Sequence, residues 1–485
     1  MPAPQTRREL LRTLGATASV VAAGTALPGC AGPGGASPTA NRKVATVQFQ
    51  LKVSGIPINP TVTGLIQQYV DENFNSRHRG VRAIAVPTAG NAASGVVAAI
   101  LAGSPAPLVL TGGGSEWSTI LPFVAPLDPY FRQDNVQPSL WPSQLLAGMS
   151  TDGHLYGVPF DAAAQAYIYR QDILDELGLP YPAPDWTYLD AEKLWGACTS
   201  SKGGQQRSGG TIPFSPAGPF PGLALLAGFG GAYLDSSFTR CLLGEPGSVR
   251  CGEWAFNLLW SRVCVQGDGT PVPGLATGQV VFSQGADPSI LWAVRHLGTT
   301  VKWDFIPFPL WPVRAATIGQ SGWYSLNAFA SNPDLAWLLF KFVCIDTGWA
   351  RFYMRLSLAP PAQLGLMEEW EVLVRGLAPV LNGKALRYWR EPAQAGESYP
   401  GFLYFKYQPA TASAAVAQTW GQIWKRQLSV AQGFTEIARQ VNAIEVAGAA
   451  APPPPTTAQR VAAARAAHDR FPTRGPAVAT VRPGL

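Results

Sequence analysis

The segment from residue 153 to residue 178 constrains the fold most, because it predicts a strand that leads directly into a helix. Its sequence is GHLYGVPFDAAAQAYIYRQDILDELG. Residues 166–169 (Ala-Tyr-Ile-Tyr) alternate as a strand does. A short helix then begins near Asp172, with apolar residues on one face. Gly178 stands where the end of a helix favours a residue that is free to take positive φ.

The N-terminal part of the chain alternates between strand and helix patterns. Strands are expected over 44–51, 81–86 and 108–110, with helices over 62–70 and 92–102 between them. This order indicates a parallel sheet with crossover helices, so the fold class is α/β. At 485 residues the chain is also too long for one simple core, and two or more domains are expected.

Several phrases occur in a fixed order along the chain. They include Tyr-Gly-Val-Pro at 156–159, Gly-Leu-Pro at 178–180, Leu-Asp-Pro-Tyr at 127–130, and IGQSGWYSLNAFASNP at 318–333. Together they cover roughly residues 44–445 and resemble bacterial extracellular solute-binding proteins of the sugar-binding, maltose-binding-protein-like family. The resemblance implies a two-lobed periplasmic-binding-protein fold of type II-like architecture. Each lobe would be a sheet flanked by helices, with a cleft between the lobes.

The same resemblance implies an order of domains. The expected parts are an export signal (1–29), a tether (30–43), the first part of lobe 1 (44–152), the first part of lobe 2 (153–277), a return to lobe 1 (278–330), a second, helical part of lobe 2 (331–446) and a Pro/Ala-rich tail (447–485). Within this order, Ser331 is expected to cap the helix that begins at Pro333.

The N-terminus resembles a signal for export and anchoring. Arg7-Arg8 resembles a twin-arginine motif, and an uncharged region from Thr13 to Gly29 follows it. Leu-Pro-Gly-Cys at 27–30 resembles a lipobox, although Pro28 departs from the small residue expected there. Cys30 is therefore the candidate lipid-bearing residue, and the protein is expected on the outer face of the cell membrane or in the periplasm. Beyond this region no uninterrupted apolar run reaches about 20 residues, which argues against a membrane-spanning protein.

Charge and motifs exclude several other classes of function. Removal of residues 1–29, with three Arg and one Glu, lowers the net charge from +6 to +4. That charge is too small to imply a nucleic-acid partner, and no basic run with interleaved aromatic residues supports one. The sequence contains no His-Glu-x-x-His, Gly-x-Ser-x-Gly or phosphate-binding loop, and its four His residues lack metal-ligand spacing. We expect no enzyme activity, no metal and no cofactor.

Cysteine usage fits an exported protein, in which disulfides can form. If Cys30 carries a lipid, five cysteines remain, and there is no Cys-x-x-Cys motif. Cys241 and Cys251 are the closest pair along the chain and flank a loop that contains Gly and Pro. They are the candidate disulfide.

A sugar site needs aromatic faces for stacking and polar side chains for hydroxyl groups. Strand ends and lobe crossings are the segments expected to line an interlobe cleft. Trp323, in the Gly-rich loop, is expected to stack on the sugar, with Trp117 as a second platform, whereas Trp186 is assigned to helix packing. The predicted ligand-binding residues are Gln50, Glu116, Trp117, Asp161, Tyr167, Trp292, Gln320, Trp323 and Tyr324.

The function that this resemblance implies is a lipid-anchored receptor that binds a neutral sugar or oligosaccharide. The receptor would close its lobes around the ligand and deliver it to the permease of an ABC importer. One alternative keeps the fold but binds a polyol, a glycerophosphoryl compound or a peptide. Another alternative is a secreted carbohydrate-active hydrolase, with Asp128 and Asp161 as its carboxylate pair. A phosphorylated ligand would require clustered Arg or Lys, which the expected cleft segments almost entirely lack.

Overall fold

The computed structural model of the chain describes residues 45–51, 59–87, 92–101, 106–112, 120–151, 153–162, 166–202, 205–212, 214, 222–235, 239–267, 272–285, 289–298, 301–313, 317–319, 322–377, 398–400 and 409–450. The predicted export signal, the tether and Cys30 lie outside these ranges, as do residues 451–485 of the predicted tail. Among the described residues, no helix combines the length and the apolar character that a membrane span requires.

The strands are numbered in chain order. They are β1 (Ala45–Leu51), β2 (Val81–Pro87), β3 (Val109–Gly112), β4 (Val124–Ala125), β5 (Ser150–Thr151), β6 (His154–Leu155), β7 (Val158–Pro159), β8 (Ala166–Arg170), β9 (Ser200–Lys202), β10 (Gln205–Ile212), β11 (Cys264–Gln266), β12 (Val280–Gly285), β13 (Trp303–Pro307), β14 (Thr317–Gly319), β15 (Trp323–Asn327) and β16 (Ser398–Pro400).

The α-helices are α1 (Pro60–Val70), α2 (Ala92–Leu101), α3 (Asp128–Gln133), α4 (Ser143–Ala147), α5 (Gln171–Leu177), α6 (Tyr188–Cys198), α7 (Leu223–Gly228), α8 (Pro246–Trp260), α9 (Pro273–Thr277), α10 (Ser289–His296), α11 (Pro333–Phe340), α12 (Thr347–Ser357), α13 (Met367–Leu377), α14 (Pro409–Trp424) and α15 (Val430–Ala450). Short π-helical turns follow α1 and α11, at Asp71–Asn75 and Lys341–Ile345.

Two six-stranded sheets form the framework. Sheet A has the order β2-β1-β3-β15-β4, and β7 also pairs with β15. Its strands β1 and β3 are parallel, whereas β15 runs antiparallel to β3, β4 and β7. Sheet B has the order β11-β10-β12-β8-β13, with β9 beside β10. In sheet B, β10 is parallel to β11 and β12, whereas β8 is antiparallel to its neighbours β12 and β13.

Local sequence signals explain where several helices begin and end. Helix α1 begins where the side chain of Asn59 accepts a hydrogen bond from the amide of Val62. Helix α5 ends at Gly178, whose φ of 64° confirms the expected left-handed cap. The cap of α11 differs from the prediction, because Asn332 rather than Ser331 accepts from the amide of Leu335.

Each sheet has its own aromatic-rich core. Around sheet B, Trp195 and Trp420 lie in one cluster with Phe282 and Phe434. On sheet A, Trp323 packs with apolar side chains of α2, β3 and β4. Burial removes apolar surface from water and is the main stabilising term of such cores. The chain has 16 tryptophans, and ten of those in the described residues are buried. Much of the tryptophan content therefore serves packing.

The range 278–330, assigned from sequence to a return into lobe 1, is divided in the structure. Strands β12 and β13 pair within sheet B, and of the described strands in this range β15 alone joins sheet A. The resemblance supplied the assignment of this range, and the apolar residues of β12, which fit a buried strand, do not identify the sheet to which that strand belongs. The later helices are divided as well. Trp349 of α12 contacts Phe49 of sheet A, whereas α14 and α15 contribute to the core of sheet B.

The predicted disulfide is absent, because Cys241 and Cys251 are both free, buried thiols. Cys251 lies within α8 and packs into the core, whereas Cys241 forms an isolated β-bridge with Leu234. The two cysteines are close in sequence but do not form a disulfide. Burial raises the pKa of the Cys241 thiol to about 12 and that of Cys251 well above its ordinary value.

Candidate functional site

Sheet A presents polar groups where its parallel strands end, an edge we call edge A. Gln50 lies near the end of β1 and Thr111 near the end of β3. The Oε1 atom of Gln50 accepts a hydrogen bond of 3.0 Å from the amide of Thr111, so the amide side chain ties the two strand ends together. Both side chains are buried. In open α/β sheets, ligands bind beyond the carboxyl ends of parallel strands.

Sheet B has a matching edge, edge B, where β10 and β12 end. The backbone N–H of Gln284 in β12 donates to the hydroxyl of Thr211 in β10 at 2.8 Å. Tyr167, near the start of the antiparallel strand β8, donates its hydroxyl to the carbonyl of Thr211 at 3.1 Å. Burial raises the pKa of Tyr167 well above its ordinary value, so the phenol is a neutral hydrogen-bonding group. Edge B is thus built from amides and hydroxyls.

Chain crossings connect the two edges. β7 ends at Pro159, which pairs with Trp323 at the start of β15 in sheet A. β8 begins at Ala166, which pairs with Gly285 and Pro307 at edge B. The crossing between β7 and β8 is only six residues long, so it spans at most about 20 Å. A second crossing leads from β13 to β15. Both crossings join the sheets at the ends that carry the polar groups.

Asp161 fixes the first crossing to its neighbours. Its Oδ1 atom accepts a hydrogen bond of 2.9 Å from the amide of Gly322, which immediately precedes β15. Asp161 also forms an isolated β-bridge with Pro361, and the amide of Ala162 donates to the carbonyl of Pro360 at 3.0 Å. Three chain segments therefore meet at Asp161. We call this meeting point the crossing junction.

Close packing at the crossing junction requires a glycine. A Cβ atom on Gly322 would lie 1.9 Å from Cζ of Phe160. The Phe160 ring in turn packs against Tyr324 and Tyr353, with centroid distances of 5.0 and 5.3 Å. Burial raises the pKa of Tyr324 well above its ordinary value. The junction is a packed aromatic contact.

Three cations on or beside the strands of sheet B lie toward the end away from edge B. Arg170, the last residue of β8, is paired with Asp172 at 2.8 Å. Lys302, just before β13, is paired with Asp175, and Arg207, in the first half of β10, lies 3.7 Å from Glu176. In the described parts of both strand-end edges there is no Lys or Arg. Nor do any three His, Cys, Asp or Glu side chains of the described ranges form a potential metal site.

An open groove of about 660 Å³ lies elsewhere, between α3, α4 and the β5–β6 hairpin. Its lining includes Arg132, Asn135 and Gln137. None of its lining residues belongs to sheet B or to a crossing. A ligand in this groove would therefore contact one lobe only.

The structure changes the role of several predicted ligand-binding residues. Trp323 has no exposed surface and is a core residue of sheet A, so it offers no face for stacking. Tyr324 and Tyr167 are also fully buried, in the junction and at edge B. Asp161 is buried and holds Gly322 instead of projecting into open space.

The remaining predicted residues are distributed differently. Gln50 lies at edge A, as expected for a strand end. Trp292 belongs to neither edge, because it is half-buried on α10 and stacks on His296 at 4.5 Å. Glu116, Trp117 and Gln320 lie outside the described residues. The residues not predicted from the sequence are Thr111, Thr211, Gln284 and Gly322. The first three stand near the ends of strands in parallel pairs, a position that the strand pattern of the sequence could have indicated.

Two sheets with flanking helices, joined by crossings at their strand-end edges, form the two-lobed fold of periplasmic binding proteins. The family model described as bacterial extracellular solute-binding protein matches residues 70–365, more than half of the 485 residues. The chain therefore belongs to the bacterial extracellular solute-binding proteins. No curated protein sequence matches it.

Solved structures share this fold. The GacH receptor of Streptomyces glaucescens, solved unliganded and with acarbose, is 15% identical with a TM-score of 0.64, covering 83% of this chain and 98% of the receptor. UgpB from Mycobacterium tuberculosis, in complex with glycerophosphocholine, is 16% identical with a TM-score of 0.66, covering 82% and 98%. The sugar-binding protein MalE from Xanthomonas citri is 16% identical with a TM-score of 0.64, covering 83% and 98%.

Proposed function

We propose that this protein is the extracytoplasmic substrate-binding component of an ABC importer and binds a neutral sugar or oligosaccharide between edge A and edge B. The observation that carries the proposal is the chemistry of those edges. The described groups of both edges are neutral amides and hydroxyls that are buried and bonded to one another, and the two cations at the strand ends of sheet B, Arg170 and Lys302, lie at its opposite end, paired with Asp172 and Asp175. Neutral edges of this kind suit an uncharged ligand better than a phosphorylated one, which would call for Arg or Lys.

The charge pattern also separates this ligand from its rivals. A phosphate or phosphodiester is best held by Arg or Lys in charge-assisted hydrogen bonds. The described residues of edges A and B supply none. UgpB shares the fold and was solved with glycerophosphocholine, whereas GacH was solved with acarbose. The absence of cations at the described edges favours a ligand like acarbose, which carries no phosphate, over a phosphodiester.

The crossing junction supplies the hinge in this proposal. Closure of the two lobes around a ligand requires the crossings to absorb a rotation while each sheet stays rigid. Asp161 joins three segments at that point, through its bond to Gly322 and its bridge to Pro361. Its predicted role as a direct sugar ligand is therefore replaced by a role in hinge geometry. No covalent chemistry is needed for such a cycle.

The anchor is part of the same proposal. A lipid on Cys30 would hold the receptor near the permease, with the segment from residue 30 to residue 43 as tether. Mass spectrometry of the membrane fraction should then find a diacylglyceryl group on Cys30. An unmodified Cys30 and a mature N-terminus at another residue would contradict the anchor and leave the ligand proposal standing.

A ligand panel tests the substrate class. Maltose, acarbose and tagatose should be compared with glycerophosphocholine, each added to the purified protein in a thermal or urea unfolding assay. A ligand present at 100 times its dissociation constant adds about 2.7 kcal/mol to the free energy of unfolding. We expect this gain from a neutral sugar and not from glycerophosphocholine. Stabilisation by the phosphodiester alone would show that the substrate class is wrong while the family assignment stands.

A further inference from the structure

A second surface, remote in sequence from both strand-end edges, combines exposed tryptophan with clustered cations. Helix α8 ends at Trp260, and helix α14 ends at Trp424. The indole Nε1 of Trp260 donates to the carbonyl of Trp424 at 3.4 Å, so the two helix ends lie side by side. The guanidinium of Arg426 lies 4.9 Å from the centroid of the Trp260 ring. We call Trp260, Arg262, Trp424, Lys425 and Arg426 the tryptophan–arginine patch.

Exposure distinguishes this patch from the rest of the aromatic residues. Trp424 is 42% exposed, and among the described residues it is the one tryptophan that counts as an exposed large apolar side chain. Lys425, Arg426 and Arg262 are exposed as well, and Trp260 is half-buried. In most of the chain tryptophan packs inside a core. Here it lies beside cations at the surface.

The backbone at this surface holds arginine where glycine would be favoured. Arg262 and Arg426 follow the ends of α8 and α14 with φ values of 62° and 57°. The left-handed conformation is disfavoured for a residue that carries a Cβ atom, and helix ends of this type usually use glycine. A cation near the C-terminus of a helix recovers part of that cost through the helix dipole. Backbone geometry alone would nevertheless select glycine at both positions, so the arginine side chains point to a role at the surface.

The charge of the patch has one sign. Residues 254–267 and 418–435 contain Arg262, Lys425 and Arg426 as their only ionised side chains; the flanking carboxylates are Glu253, Asp268 and Glu436, the last of which is paired with Arg439. Arg262 donates to the neutral Oε1 of Gln206 at 3.4 Å, so this bond does not cancel its charge. Three cations and an exposed indole therefore form a surface that complements a negative, partly apolar partner.

We propose that the tryptophan–arginine patch docks onto the anionic surface of a lipid bilayer. Tryptophan favours the interface between water and lipid, because its ring is apolar and its N–H remains able to bond. Lys and Arg near an anionic leaflet are attracted to it, each increasing membrane partitioning by a factor of about five. Docking through this patch would orient the protein on the membrane in addition to any lipid anchor. It goes beyond solute binding and does not depend on the identity of the solute.

Vesicle partitioning tests the proposal. The full chain, carrying Cys30→Ser in every sample so that no lipid can be attached, is mixed with vesicles of phosphatidylcholine alone or with an equal part of phosphatidylglycerol. Bound protein is measured by co-sedimentation at 0.1 M and 0.5 M salt. We expect strong preference for the anionic vesicles and weaker binding at high salt, because salt screens exposed charges.

Two charge-matched double variants isolate the patch. Lys425→Gln with Arg426→Gly removes two cations and places glycine at a left-handed position, where it fits the backbone, so this variant should fold. The control variant, Arg77→Gln with Arg79→Gln, also removes two exposed cations. They lie just after the π-helical turn that follows α1. The patch variant should lose about 25-fold in partitioning to anionic vesicles, and the control less than about threefold. Trp424→Ala should weaken binding to both vesicle types.

Several results would overturn the proposal. These are equal losses in the two double variants, no loss in either, equal binding of the unsubstituted patch to anionic and neutral vesicles, or no vesicle binding at all. The unfolding temperature of each variant is measured alongside. A patch variant that stays folded and still binds as well as the control refutes docking through these side chains.

Discussion

Gly322→Ala should destabilise the protein only when Phe160 is present. The new Cβ atom would lie 1.9 Å from Cζ and 2.3 Å from Cε1 of the ring. Carbon atoms in contact prefer about 3.5–4.0 Å, so the ring would have to retreat by about 1.5 Å or more. That movement disturbs its contacts with Tyr324 and Tyr353, each worth about 0.5–1.5 kcal/mol. We therefore expect a loss of about 2–3 kcal/mol in the free energy of unfolding.

A double-mutant cycle measures this coupling. Phe160→Ala alone should cost about 2–4 kcal/mol, because the ring is half-buried. In that background Gly322→Ala should cost less than about 1 kcal/mol, since the three atoms nearest to the new Cβ all belong to the Phe160 ring and the φ of Gly322 is not in the left-handed region. The coupling energy from urea unfolding should then be about 2 kcal/mol. An equal cost of Gly322→Ala in both backgrounds would refute the packing at the crossing junction.

Gly196→Ala is the matched control for this cycle. Gly196 lies within α6, and a Cβ atom there would meet nothing within 4 Å. Alanine should stabilise the helix by up to about 1 kcal/mol. The gain should be the same with and without Phe160, because the two residues share no contact.

Further expectations follow from burial and hydrogen bonding. Asp161→Ala should cost about 1–3 kcal/mol, because the amide of Gly322 loses its acceptor, and Asp161→Asn should cost less; urea unfolding that ranks the two variants in the reverse order would contradict this. Trp323→Ala should cost about 3–5 kcal/mol in the same assay, whereas a negligible cost would restore Trp323 as a cleft residue. Burial raises the pKa of Asp304 from 3.8 to about 6, so the folded state binds more protons between these values, and the contribution of this carboxyl to the free energy of unfolding falls as pH rises through that window. The gain in stability from Asp304→Asn should therefore grow from about pH 4 to about pH 6 and stay level above, and a gain that is flat with pH would refute the assignment. The thiols of Cys198, Cys241, Cys251, Cys264 and Cys344 should resist alkylation in the native protein and all react in denaturant without a reductant; two that require a reductant would reveal a disulfide.

Features that depend on neighbouring residues in the chain were predictable from sequence. Strands β1 and β2 and helices α1 and α2 appear within one or two residues of their predicted bounds, because apolar periodicity reports which face of an element is buried. The left-handed cap at Gly178 was predictable for the same reason. The α/β class depends on these local signals, and both this class and the family resemblance are confirmed.

Features that depend on distant pairing were not predictable. Trp323 was expected to face a ligand, but β15 lies between β3 and β4, and side chains on a central strand are covered on both faces. The range 278–330 was assigned to lobe 1, yet β12 pairs within sheet B, because the partners of a strand are not visible in its own residues. Cys241 and Cys251 are ten residues apart, yet a strand bridge and a helix carry them to separate places. Such outcomes are set by register and topology, which a single sequence does not display.

Hydrogen exchange with a bound sugar tests the central claim most directly. The purified protein is saturated with the neutral sugar that stabilises it most, and peptides that cover the ends of β1 and β3 are compared with peptides that cover the ends of β10 and β12. A ligand held between the lobes should slow exchange at both edges, because closure shields both from water. Protection of one edge alone, or of the groove lined by Arg132 and Asn135, would contradict binding between edge A and edge B.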